Sequence, residues 1–110
     1  MSQARLVTKQ QLSPARQRIL QLMQKFSFCS IRDLQIRGGD PTFSPPPTII
    51  QDLKLGSDND PRPQLYMRDF QLKAEHLELF TVMDEVQNGC IEEICVKYGL
   101  PWRLSVKRAV

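Results

Sequence analysis

The chain has 110 residues and a net charge of +3, from 15 Lys and Arg against 12 Asp and Glu. This is the length of one domain, and an apolar share of 41% is enough for one core. No apolar run approaches the ~18 residues of a membrane span. Met1 to Gln11 lacks the apolar stretch of a secretory signal, and three cysteines are an odd count for a disulfide framework. These features predict a soluble, cytoplasmic protein with reduced thiols.

In chain order, residues 1–12 show no periodicity and read as a loose arm. Ser13-Pro14 is an N-cap followed by proline at the first helical position. Ile19, Leu20, Met23 and Phe26 then share one helical face, which predicts a helix over 14–26. Leu34 and Ile36 alternate with Asp33, Gln35 and Arg37 as in a half-buried strand. Gly38-Gly39 supplies the two left-handed positions of a tight hairpin turn. A return strand starts at Asp40-Pro41-Thr42-Phe43 and stops at Pro45-Pro46-Pro47. Residues 48–55 read as an extended segment and 56–64 as a surface loop.

Asp69 is placed to cap a second helix over 70–87, with Leu72, Leu79, Phe80, Met83 and Val86 as its apolar stripe and Asn88-Gly89 as its end. A second hairpin follows: Ile94 and Val96 on one face, a turn at Tyr98-Gly99, then Trp102, Leu104 and Val106 on one face of the return strand. By that parity Trp102 belongs to the core.

Residues 13–44 match residues 73–104 at a constant offset of 60. Met23 falls on Met83, Ile31 on Ile91, Gly39 on Gly99 and Pro41 on Pro101. In both stretches two core-type residues stand three apart (Ile31 and Leu34, Ile91 and Ile94), against the strand period of two. A bulge, or a strand that starts after the first of each pair, would account for it. The pattern predicts an internally duplicated α+β fold of one domain: an α-β-β unit at 13–44, a connector at 45–68 and a second unit at 69–107. The four strands form an antiparallel sheet, with a fifth piece from 48–55, and two helices cover one face. The other face carries Asp33, Gln35, Glu93, Cys95, Arg103 and Ser105 and is polar.

Each unit, ending in Cys29-Ser30-Ile31 through Gly38-Gly39 or Gly89-Cys90-Ile91 through Tyr98-Gly99, resembles small bacterial proteins of uncharacterised function. Those are built from one helix and a hairpin with a G-S-[IV]-x-x-x-[VI]-x-[DN]-G pattern. The chain departs from it at Ser30 and Cys90 and in the hairpin turn. The resemblance implies no functional residues.

Motifs for chemistry are sparse. No catalytic set, metal-ligand spacing or cofactor loop stands out, so no cofactor is expected. Cys90 and Cys95 are five apart, and Glu92-Glu93 are neighbours. On a regular strand either spacing sends the side chains to opposite faces, which argues against a shared metal or a two-carboxylate site. His76 is the only histidine and sits in the apolar stripe of the second helix, where a locally hydrogen-bonded, partly buried ring is the plain reading.

Charge is unevenly spread. All 12 acidic residues lie between 19 and 102, whereas Arg5, Lys9, Arg16 and Arg18 precede Ile19 and Arg103, Lys107 and Arg108 follow Trp102. Three functions fit, in descending order. The first is a non-enzymatic interaction or regulatory module whose strand edges invite a protein partner or self-association. The second is a weak nucleic-acid binder using the basic termini with Arg37, Lys97, Tyr98 and Arg103. The third is a small-ligand or enzymatic site around His76 and a nearby cysteine.

Overall fold

The computed structural model describes residues 8–56 and 72–108, and the expected Asp69 cap lies outside them. Within the expected arm a 3₁₀ turn, Lys9–Gln11, leads into the first helix, and Leu12 packs against the core.

Helix α1 spans Pro14–Lys25. The Ser13 hydroxyl accepts the Arg16 N–H at 3.2 Å and donates to Asp40 Oδ1 at 2.9 Å. One contact caps the helix start and the other ties it to the far end of the first hairpin. Strand β1 runs Cys29–Arg37, β2 Asp40–Thr42 and β3 Thr48–Gln51. Helix α2 spans Ala74–Val86, and strands β4, Gly89–Lys97, and β5, Leu100–Val106, complete the chain. The second helix therefore starts at Ala74, four residues later than its stripe suggested. Leu72 still reaches the core from the preceding segment.

The strands form one antiparallel sheet in the order β2-β1-β4-β5, with β3 also paired to β1. β2 and β3 share one edge of β1: β3 pairs Cys29 to Arg32, and β2 pairs Gln35 to Arg37. The extended reading of 48–55 thus holds for its first four residues.

Both helices lie on one face of the sheet. Ile19, Leu20 and Met23 of α1 and Leu79 and Met83 of α2 close over Ile31, Leu34, Ile36, Ile91 and Ile94, all essentially inaccessible to water. Burying each such side chain contributes about 1.5–3 kcal/mol.

The core-facing pairs keep their three-residue spacing because both strands are irregular and neither starts late. Asp33 adopts a left-handed conformation at φ 58°, and β4 slips against β5 between Ile91 and Glu93.

Element bounds recur at the offset of 60: Cys29–Arg37 against Gly89–Lys97. The central register does too. Ile31 pairs with Ile94 and Leu34 with Ile91, so each pairing is the other with the units exchanged. The turns follow the same rule. The Gly39 N–H donates to Gln87 O and the Gly99 N–H to Ser27 O, both at 2.9 Å.

Candidate functional site

The exposed large apolar side chains gather at one end of the sheet. Phe28 precedes β1, Ile50 lies in β3, Leu53 and Leu55 follow β3, Tyr98 turns between β4 and β5, and Trp102 lies in β5. Leu77 of α2 is the other exposed one among the described residues. At that end lies an open cleft of about 530 Å³. Phe28, Cys29 and Ser30 form one wall and Asp52, Leu53 and Lys54 a second; Cys95, Val96 and Lys97 with Trp102 complete it.

Strand pairing explains how these groups meet. The Asp52 N–H donates to Phe28 O at 2.8 Å, carrying the β3–β1 ladder past the end of β3 and placing Leu53 and Lys54 beside Phe28. Cys29 pairs with Val96, so the start of β1 lies against the end of β4.

Trp102 departs from its expected place in the core. Cys95 pairs with Arg103 and Val96 with Pro101, which leaves Trp102 as the unpaired residue of a bulge. A bulge resets strand parity: Pro101 is buried, Trp102 and Arg103 both face out, and Leu104 returns to the core. Trp102 is 53% exposed. The Lys97 ammonium sits 4.5 Å and the Arg103 guanidinium 5.7 Å from its ring centroid. Beside it the Tyr98 and Phe28 rings meet edge to face at 4.8 Å. Tyr98 holds a left-handed backbone, φ 53°, at the turn position that is Gly38 in the first hairpin.

Two further expectations change for the same reason. Glu92 and Glu93 line one hollow of about 430 Å³ with Arg32, Asp33 and Ser105, at the centre of the open face. There Glu93 accepts from Arg32 Nε at 3.2 Å and pairs with Arg103 Nη2 at 3.6 Å. Cys90 and Cys95, which pair with Gln35 and Ser30, both flank core-facing residues and share that face. Five strand residues, about 16 Å, separate them. Among the described residues no group of three or more His, Cys, Asp or Glu side chains is placed to hold a metal ion.

The residues singled out from sequence fall into three places. Lys97, Tyr98 and Arg103 belong to the aromatic end. Arg37 lies at the opposite end of β1, where Ile36 pairs with Gly89, and takes no part in that cluster. His76 is buried under the helices at 1% exposure, and its Nδ1 accepts the Lys73 N–H at 3.1 Å. Burial, with a smaller push from Lys73 and an opposing one from Glu75, lowers its pKa from 6.5 to about 4. It is a neutral, helix-capping ring. Cys29, buried in the cleft wall, has its thiol pushed up to about 11 by burial first, then by Asp52 and Cys95. At neutral pH it is a protonated thiol, a poor nucleophile.

Sequence reading missed two groups. Phe28 carries no periodic signal, and Leu53 fits a strand face with Ile49 and Leu55 as well as a helical face with Ile49 and Ile50, so neither pattern marks it as part of a cleft. Arg16 reads from sequence as one of the basic N-terminal residues offered to a nucleic acid. Its side chain, 15% exposed, pairs with Asp40 through Nε at 3.2 Å and with Asp84 through Nη2, which also donates to Gly39 O at 2.7 Å. It lies over the Phe80 ring at 5.1 Å and clamps α1, the first hairpin and α2 together.

Compared with known protein families, curated proteins and solved structures, the chain matches none. No helix among the described residues is long and apolar enough to cross a membrane.

Proposed function

We propose that this protein is a small non-enzymatic binding module that docks a partner at the aromatic end of its open sheet face. The observation that carries this is the set of exposed Phe28, Leu53 and Trp102 side chains around one cleft, with Tyr98 packed on Phe28. Exposed apolar side chains gathered around a cleft mark an interaction site. Tyr98 adds support. A left-handed backbone costs a non-glycine residue about 1 kcal/mol or more, and the strain falls where an aromatic ring borders the cleft.

The test is affinity capture from a lysate, with retained material assayed as protein and as nucleic acid. A Leu53→Ser/Trp102→Ser double variant should lose the cargo retained by the wild type. Leu77→Ser, which removes an exposed apolar group from α2, should keep it. A bare wild type, or equal cargo on all three, would contradict the proposal.

A further inference from the structure

Resting on that reading, we infer that the occupant of the cleft is a short single-stranded nucleic acid segment, with a base stacked on Trp102 and its phosphates held by Lys97, Arg103 and Lys54.

Two features of the cleft favour this chemistry over a protein partner. The first is the coupling of ring faces to cations. A stacked base needs a flat aromatic surface with positive charge within reach of the adjoining phosphates. Trp102, half-exposed, offers one: the Lys97 ammonium and the Arg103 guanidinium lie over its ring, so a stacking base displaces a cation from the ring face toward its own phosphate, and the Phe28–Tyr98 pair provides a second aromatic surface beside it.

The second is the balance and kind of charge. Lys54 and Lys97 line the cleft against one carboxylate, Asp52. Arg103 stands at its margin, and its Glu93 partner is shared with Arg32. Among the described residues that line the cleft and its margin, cations outnumber carboxylates. Lysine is depleted at protein–protein interfaces and common where phosphate is bound.

The acidic centre of the open face, with Asp33, Glu92 and Glu93 around one hollow, limits the track. It repels phosphate, so the bound segment is confined to the aromatic end. Positions 60 apart sharpen the assignment. Trp102, Tyr98 and Phe28 correspond to Thr42, Gly38 and Asn88, so the other end of the sheet lacks these rings and serves as an internal comparison.

Trp102 is the single tryptophan of the chain, so its emission reports occupancy directly. The experiment titrates the full chain with ten-nucleotide oligo(dT) and oligo(U), the matching duplexes and a ten-residue polyglutamate, at low and moderate salt. Single strands should quench the emission saturably. Affinity should fall with salt at a log–log slope of about −2, from roughly 0.7 per phosphate contact. Followed by anisotropy of a labelled oligonucleotide, Trp102→Ala should weaken binding about fivefold to a hundredfold. Trp102→Phe should recover most of the loss, and Lys97→Ala should flatten the salt slope by about 0.7.

No quenching by either single strand at low salt, or Trp102→Ala binding as tightly as wild type, overturns the inference. So does equal affinity for duplex or for polyglutamate, because neither presents a stackable base. If the single strands fail while the cleft double variant still loses cargo from lysate, the inference falls and the docking site stands.

Discussion

His76 shows how much one buried residue can weigh on stability. Its folded pKa of about 4 lies below the unfolded value of 6.5, so the unfolded chain binds the proton more readily between those values. Stability from the neutral ring is complete above pH 6.5 and declines as pH falls toward 4, by up to about 3 kcal/mol at 1.4 kcal/mol per pH unit. Protonation also removes the Nδ1 acceptor that caps α2. Denaturant unfolding between pH 4 and 7 should show this slope, and His76→Gln, with a neutral amide, should lose it relative to wild type. Identical slopes would count against a buried neutral histidine. The local hydrogen bond of His76 was legible from its place at a helix start within an apolar stripe. The bulge that turns Trp102 outward was not, because one extra residue in β5 leaves the alternating pattern of Trp102, Leu104 and Val106 intact as a string. Periodicity locates a strand but not a slip in its register.

The two hairpins show the same limit at the level of elements. Both turns form where their residues predicted, with φ 60° and 82° at Gly38-Gly39 and 53° and 74° at Tyr98-Gly99. What surrounds each turn depends on the opposite unit, and no local pattern reports that. A Cβ at Gly39 would stand 3.3 Å from Gln87 Nε2, 3.6 Å from Asp84 Oδ1 and 3.7 Å from Arg16 Nη2, whereas one at Gly38 would meet nothing within 4 Å. Both alanine variants incur left-handed strain of about 1–2 kcal/mol. Gly39→Ala should cost more, because it also presses on the Gln87 side chain, whose backbone carbonyl accepts the Gly39 N–H. Thermal melts of the two variants check this, and an equal or smaller loss for Gly39→Ala would show that the Gln87 side chain yields freely. The helices were more legible: the Ile19, Leu20 and Met23 stripe and the Leu79, Phe80 and Met83 stripe are buried as spaced. Only the start of α2 moved, to where Lys73 and His76 close the first turn.

At the scale of the whole molecule, neither half of the chain completes its own core. The central ladder is β1 against β4, the turn amides of each hairpin bond to the other unit, and the Arg16 clamp reaches Asp84 of the second helix. A fragment of residues 1–56 or 57–110 therefore lacks the partner for its central strand, and chains of that length are marginal in any case. Expressed apart, each should lack a cooperative melt as a monomer, and equimolar mixing should restore one. The exchanged register adds a competitor: β1 could pair with β1 of a second copy, setting Ile31 against Leu34, the same geometry that Ile31 makes with Ile94. The side chains above the sheet discriminate. In such a homodimer the position facing Arg16 would be Gln24, 60 before Asp84, and the ion pair would be lost; in a dimer of second fragments the position facing His76 would be Asp84, a carboxylate brought toward a buried neutral ring. The mixed pair keeps Arg16 with Asp84. Native mass spectrometry of the mixture should show the heterodimer above the statistical half of all dimers, and Arg16→Ala should bring the distribution back toward that half. A statistical mixture from the wild-type fragments would mean that the register alone drives assembly and that Arg16 adds nothing to the choice of partner.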